Sequence, residues 1–358
     1  MPQRKISENV RAGRADENLA FLLRYENIAW YEDGAVRILD RRTYPLKKEF
    51  VICRTHIETA QAISDMVTQS AGPYTAAAMG MVLASYEARD MWGKKYESFM
   101  ENAAFTLSHA RPTTVKKMET VVSGCVAIVH RGINAGKTPA EITEELRAYS
   151  LRTLEERYLK AGRIGGYLAD LAPMNGTVMT QCFAETVVGT FLRACRERGN
   201  AIKIICPETR PYYQGARLTA SVACDMGFDV TVITDNMPGA VLKDKKVDLF
   251  TSAADIITMD GHIINKIGTF QIALASSYWG VPYYVTGIPN RGHLSADSVE
   301  IELRDPQLVL ESMGRKHTMS GVKGYYPAFD VTPPELVSGV VTDRGIFASD
   351  NLGKYFES

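Results

Sequence analysis

The chain has 358 residues, 46% of them hydrophobic and 23% charged, with 41 basic side chains against 41 acidic ones. That is an ordinary globular composition, long enough to bury a sizeable core without metal or disulfide staples. A formal net charge of zero removes the long-range reason to expect a nucleic acid or an anionic membrane as partner.

The polar start, MPQRKISENVRAGRADENL, lacks the apolar stretch of a signal peptide, and about twenty residues there read as frayed. Residues Ile28 to Tyr31 and Ala35 to Leu39 are short apolar runs around Glu32-Asp33-Gly34, a hairpin signal. Thr55-His56-Ile57-Glu58 is a capping box for a helix through about Val67. The uncharged run from Met66 to Tyr86 contains Thr68, Gln69, Ser70 and Pro73, so it is too polar to span a bilayer and predicts a small-residue helix over Thr75 to Ala84. Arg111-Pro112 breaks the pattern before a helix expected from Thr114 to Ile133. Thr138-Pro139-Ala140-Glu141 is a second capping box, with its helix expected to end near Tyr158.

After Gly165-Gly166 the pattern changes. Runs rich in Val and Ile at Thr177–Thr180, Ile202–Cys206, Val230–Thr234, Leu249–Thr251 and Tyr283–Thr286 alternate with helical segments, with glycines 199, 227 and 280 at the helix ends. Repeated strand–helix units imply a parallel sheet covered on both faces. The expected fold class is therefore α/β: a mostly helical N-terminal domain with a small β-element, residues 1–165, followed by a Rossmann-like parallel-sheet domain, residues 166–358.

Ligands of open parallel sheets bind beyond the carboxyl ends of the strands. Thr180-Gln181-Cys182, Glu208-Thr209-Arg210-Pro211, Asp235-Asn236, Asp255 and Thr286-Gly287 follow the five strands, so a thiol, carboxylates, an arginine and amides converge on one edge. Cys182 falls near a helix N-terminus, where the dipole favours thiolate; a cysteine taken alone reads as a buried inert thiol. Asp255 taken alone reads as a cap. Asn265-Lys266-Ile267-Gly268-Thr269 is expected to open a helix through Ser277 and to offer donors to a phosphate or to sugar hydroxyls; the other reading is a solvated lysine. Six cysteines without a CxxC pair read as reduced cytosolic thiols, and the six histidines show no HExxH spacing. No glycine-rich nucleotide loop occurs. The expectation is a cytoplasmic protein with no metal and no organic cofactor.

Several strings together carry a family resemblance: Pro207-Glu-Thr-Arg-Pro211 with Gln214-Gly-Ala-Arg-Leu-Thr219, Ala254-Asp255, Asn265-Lys-Ile-Gly-Thr269, and Pro327-Ala-Phe-Asp-Val-Thr-Pro-Pro-Glu-Leu336. They resemble the superfamily of methylthioribose-1-phosphate isomerases, ribose-1,5-bisphosphate isomerases and the regulatory subunits of the translation initiation factor that exchanges guanine nucleotide. Trp30 to Asp40 and Arg111-Pro-Thr-Thr-Val115 look most like the methylthioribose branch, and the likeness runs from about Leu22 to Phe347. The resemblance implies an aldose–ketose isomerase acting on a 5-substituted ribose 1-phosphate, by default S-methyl-5-thioribose 1-phosphate as in methionine salvage. The alternatives are 5-deoxyribose 1-phosphate, ribose 1,5-bisphosphate, and a non-catalytic sugar-phosphate-binding regulator.

By the same resemblance Cys182 and Asp255 are the acid–base pair. Arg111, Gln214, Asn265 and Lys266 bind substrate, with Gln69 and Ser70 as neutral donors, and the chain forms a homodimer. The sequence also departs from the family. Met66-Val-Thr-Gln-Ser-Ala-Gly-Pro73 stands where the methylthioribose branch has an Arg-Gly-Ala loop, so a charged phosphate donor is missing from it. Thr180-Gln-Cys-Phe-Ala-Glu185 stands for Thr-His-Cys-Asn-Ala-Gly: Phe183 dries the pocket, and Glu185 either contacts substrate or raises the thiol's pKa.

Overall fold

The protein is described here by a computed structural model covering residues 13–111, 115–244 and 246–357. Most of the expected frayed start, the helix start at Thr114 and the motif residues Pro112 and Thr113 lie outside the described residues. The chain forms two compact units, residues 1–159 and 160–358.

In the first unit, β1 (Ala29–Glu32), β2 (Ala35–Leu39) and β3 (Phe50–Cys53) make an antiparallel sheet. Asp33 and Gly34 turn the hairpin with φ of 49° and 74°, the left-handed pair that matches strand twist. Helices α1 (His56–Ser64), α2 (Gly72–Glu87), α3 (Lys94–Ser108) and α4 (Val115–Asn134) follow, then α5 (Pro139–Leu171), inside which the two units divide. Both capping boxes form: Glu58 N donates to Thr55 Oγ1 at 3.1 Å, and Thr138 N donates to Glu141 Oε2 at 2.7 Å. Ala76, Ala77, Met81 and Leu83 of α2 are buried, along with Met100 and Leu107 of α3 and Cys125 and Val129 of α4. Helix α2 is apolar around most of its circumference because it lies inside this core.

The helix expected to end near Tyr158 runs on through the glycine pair to Leu171. Gly165 is there for close approach: a Cβ at this position would fall 2.5 Å from the backbone nitrogen of Phe191. No helix among the described residues is long and apolar enough to cross a membrane.

The second unit is built from β4 (Thr177–Gln181), α6 (Thr186–Glu197), β5 (Lys203–Pro207), α7 (Ala220–Asp225), β6 (Asp229–Ile233), α8 (Pro238–Asp244) and β7 (Leu249–Ala253). Next come β8 (Ile256–Ile257), β9 (Ile263–Lys266), α9 (Thr269–Tyr278), β10 (Tyr283–Thr286), α10 (Gln307–Leu310), β11 (Glu311–Ser312), β12 (Arg315–Lys316), β13 (Phe329–Thr332), β14 (Gly339–Thr342) and β15 (Gly345–Phe347). The main sheet has the order β15-β14-β10-β7-β4-β5-β6, parallel apart from β15. Its central strands are buried, as parallel sheets with covered faces require, while edge strand β6 is open to solvent. Gly199, Gly227 and Gly280 end their helices with φ between 68° and 82°.

Succession runs outward from β4 through β5 to β6 on one side, then resumes at β7 on the other. The strand order therefore reverses between β4 and β7, where such sheets open a crevice at their carboxyl ends. A smaller antiparallel sheet, β13-β9-β8, stands beside it, with Phe329 opposite Lys266 and Asp330 opposite Asn265. The motif segment Pro327–Leu336 supplies β13.

Candidate active site

Cys182 immediately follows β4, and Asp255 lies two residues beyond β7, so the expected acid–base residues come from the two strands that flank the switch point. Cys182 is half-buried at φ 59°, and Glu185 at φ 49° precedes the first turn of α6. Across from them, Thr209 and Tyr213 also have φ near 60°. Left-handed residues with side chains are uncommon and strained, and they gather where a surrounding structure holds them in place.

That surrounding structure is visible. Cys182 N donates to Thr209 Oγ1 at 3.2 Å, and the Cys182 carbonyl accepts from Thr219 Oγ1. Thr209 N and Arg210 N donate to the two oxygens of Asp235, at 2.8 and 2.6 Å. Residues Gly215–Thr219 form one π-helical turn, the kind of bulge that re-aims side chains at functional sites. Gly215 is obligatory in it, since a Cβ there would sit 1.8 Å from the carbonyl oxygen of Pro207. The motif Pro207–Thr219 thus braces the backbone of Cys182 from both sides.

Burial pushes the Cys182 thiol up to about 11; the positive charge of Lys266 pulls it down, the carboxylate of Asp255 raises it, and the Phe183 N–H and Arg304 lower it. The thiol is therefore neutral at rest, and the expectation of a thiolate favoured by the helix dipole is overturned by desolvation. Glu185 is buried, but the rise in the thiol comes from burial and Asp255. Asp255 is exposed.

Lys266 is buried, its Nζ 2.9 Å from the Ala328 carbonyl and 4.6 Å from the Phe329 ring centroid. Burial lowers its pKa, while Cys182, Asp255 and Glu302 act in the opposite direction. Arg304 stacks against the other partners of this cluster, 5.6 Å from the Phe329 centroid and 5.9 Å from that of Tyr212, with its fork on Glu302 at 3.0 and 3.1 Å. Two cations, a thiol and a carboxylate thus share one region, suited to holding an anion beside a proton-transfer group.

Asn265 and Lys266 do not open the helix, as expected from sequence; they end strand β9, and α9 begins at Thr269 after Gly268 at φ 101°. Asn265 Nδ2 donates to Thr269 Oγ1 at 3.0 Å. Gln214 is buried beside the π turn, its Oε1 without a hydrogen-bond partner among the described residues. Beside the thiol lies a cavity of about 20 Å³, room for a single water, lined by Leu168, Ala184, Val187 and Phe191 with the hydroxyl-bearing Thr180 and Thr251.

The remaining expected residues belong to the first unit. Gln69 is buried and its backbone carbonyl accepts from Arg41 Nη1 at 2.7 Å; Ser70 is exposed at φ 58°; Arg111 is half-buried in a bend. On that unit's surface, Glu97, Glu101 and His130 bring three potential metal-ligand atoms within 4.8 Å, with His130 Nε2 3.5 and 3.1 Å from the two glutamates. Sequence reading missed Thr209, Thr219 and Arg304. The first two lie inside quoted motifs, whereas Arg304 sits in an irregular segment with no local signal.

The family model "Initiation factor 2 subunit family" matches residues 68–349. The methylthioribose-1-phosphate isomerase of Thermosipho africanus is 34% identical over 352 residues, covering 94% of this chain and 99% of that protein. Methylthioribose-1-phosphate isomerase 1 of Pseudothermotoga lettingae is 33% identical over 333 residues, 89% of this chain and 95% of that one. Among solved structures, the 5-methylthioribose 1-phosphate isomerase of Pyrococcus horikoshii superposes with a TM-score of 0.84 at 27% identity, covering 92% and 96%. The delta subunit of translation initiation factor eIF-2B from A. fulgidus superposes with 0.83 at 29%, covering 93% and 99%. The chain belongs to the initiation factor 2 subunit family, in its isomerase branch, the methylthioribose-1-phosphate isomerases.

Proposed function

We propose that this isomerase converts a 5-substituted ribose 1-phosphate, S-methyl-5-thioribose 1-phosphate first among them, to the corresponding ribulose 1-phosphate, with Cys182 and Asp255 as the acid–base pair. The observation that carries this reading is their placement on the two strands flanking the switch point, with the buried Lys266 acting on both.

The anomeric phosphate blocks spontaneous ring opening, so a proton must be delivered to the ring oxygen as the C1–O bond breaks. Asp255 supplies it. For this the resting thiol first passes its proton to Asp255 when substrate binds, giving the thiolate and the carboxylic acid. Cys182 then takes the proton from C2 and returns it to C1, and the C2 hydroxyl gives its proton to Asp255, leaving a ketone at C2 and the pair in that same form. An exposed carboxylate gains proton affinity when a bound substrate strips its water. The thiolate form is favoured by Lys266 and Arg304. Gln214, Asn265, Lys266, Arg111, Gln69 and Ser70 are the proposed substrate-binding residues. The chain is further proposed to work as a cytoplasmic homodimer, which light scattering on the purified protein checks.

A panel of 5-substituted ribose 1-phosphates, assayed for ketose in deuterated water, tests the reaction. Turnover with deuterium at C1 supports proton transfer through Cys182, and turnover without it points to a hydride shift. Cys182→Ser and Asp255→Asn are expected to abolish turnover. Because the eIF-2B delta subunit superposes almost as well, binding without turnover across the whole panel would favour a regulatory protein instead.

A further inference from the structure

Gln181 is the last residue of β4, directly before Cys182, and lies opposite Ser252 of β7 across the switch point. Its side chain is buried, and both ends of its amide are engaged. Nε2 donates to the Ile267 carbonyl at 3.1 Å, and Oε1 stands 3.5 Å from the Thr209 hydroxyl. That same hydroxyl accepts from Cys182 N at 3.2 Å. Burying an amide is costly unless it is bonded, and an aliphatic side chain would fill the space without that cost. The reason for an amide here lies in what it joins.

The Ile267 carbonyl belongs to the turn Lys266-Ile267-Gly268, between β9 and α9. The rest of this turn leans on the smaller sheet. Ile267 N and Lys266 Nζ both donate to the Ala328 carbonyl, at 3.1 and 2.9 Å. Gly268 N donates to Asp330 Oδ2 at 2.6 Å, and Lys266 sits over the Phe329 ring. Lys266 is thus held by the smaller sheet and Cys182 by the main one, and the side chain of Gln181 reaches from the second to the first. The approach is close. Gly268 has φ 101°, and a Cβ on it would come 3.1 Å from Gln181 Nε2.

We propose that Gln181 is a positioning residue of this isomerase: it fixes the separation of Lys266 from Cys182 by tying the turn behind the lysine to the strand that carries the thiol. Gln181 acts through these neighbours and makes no contact with substrate itself. The inference rests on the proposed role of Cys182, although its first readout needs no turnover. The ammonium pulls the thiol's pKa down, and that attraction weakens with distance. The reactivity of the sulfur therefore reports the separation.

Alkylation of Cys182 by iodoacetamide in the full chain, followed by mass spectrometry from pH 8 to 11 and fitted for its midpoint, is the experiment. Turnover of the 5-substituted ribose 1-phosphates is measured alongside. Gln181→Leu keeps the bulk and loses the amide, and its midpoint should rise by roughly half a pH unit or more, as for neighbours in one network. Against a Lys266→Met background the same change should have no effect, because no ammonium is left to hold in place. If Gln181→Leu fails to fold, Gln181→Asn, whose amide stops one methylene short of Ile267, makes the same test. Where the wild type turns substrate over, kcat should fall on the order of tenfold or more.

A merely structural role would lower the melting temperature and leave the alkylation midpoint in place. A midpoint unmoved or moved to lower pH, an equal shift in the Lys266→Met background, or an unchanged kcat overturns the assignment. A shift that depends on Lys266 in a protein that isomerises no sugar phosphate would uphold Gln181 as the spacer and sink the catalytic reading.

Discussion

Lys266 and Cys182 act on one another from a largely buried setting: the ammonium pulls the thiol's pKa down against burial, and the sulfur supports the charge of the ammonium. With the thiol at about 11, alkylation of Cys182 by iodoacetamide should be slow at neutral pH and should accelerate about tenfold per pH unit through pH 8 to 10, since the thiolate is the nucleophile. Lys266→Met removes a lowering influence, so the same curve should move to higher pH. Rates already levelling near pH 7, read by mass spectrometry of the Cys182 peptide, would contradict the neutral thiol.

Asp330 holds its own proton unusually well. Burial raises its carboxyl to about 6, against opposing bonds from the Gly268 and Phe270 N–H groups to Oδ2 and the charge of Lys266. A pKa raised on folding means that the native state binds more protons between the ordinary Asp value of 3.8 and 6. This group's stabilising contribution is full below the lower value and is lost as pH rises through the upper one. Asp330→Asn retains an oxygen for the two N–H groups and does not titrate. Urea titrations of the two proteins should diverge between pH 4 and 6, with only the wild type losing stability from this source.

Much of the second unit was legible because its strands are short buried runs between strong punctuation; Tyr283–Thr286 coincides with β10, and the other four expected strands are displaced by two residues or fewer at either end. Glycines 199, 227 and 280 turned out to be left-handed, as a helix C-terminus needs. The smaller sheet was not legible, because β8 has two residues and β9 pairs with β13 across some sixty residues of chain. Lys266 was misplaced for a related reason: Asn265-Lys266 looks like a helix entrance until Gly268 is seen to supply the turn. Helix α3 went unseen, since Lys94–Ser108 is charged along its outer face and carries no capping box. The rule about strand ends drew attention to Cys182 and Asp255, while their proposed pairing came from the family resemblance. The charge state of the thiol was not legible, because it depends on burial and on Lys266 and Arg304 arriving from separate segments.

Gly165 offers a test of close helix packing. An added methyl would meet Phe191 N at 2.5 Å and Thr190 Oγ1 at 2.6 Å, so α5 and α6 must part. In an open helix Gly→Ala is stabilising. Here overpacking should win, and Gly165→Ala should cost about 1–3 kcal/mol in chemical denaturation. Gly166, with nothing near its missing Cβ, is the control: Gly166→Ala should be neutral or stabilising.

Thr219 tests whether the brace around Cys182 matters to catalysis. Its hydroxyl donates to the Cys182 carbonyl, and it closes the π turn that begins at Gly215. Thr219→Val keeps shape and volume but leaves that carbonyl without this donor, so the left-handed Cys182 loses one of the bonds that hold it. Misplacement of a reacting group by about 1 Å can cost on the order of a hundredfold in rate. The expected result is a large fall in kcat, KM changed little, and circular dichroism like the wild type. Because the bond acts on backbone, Thr219→Ser should recover most of the rate, whereas a purely packing role would leave serine the worse of the two replacements.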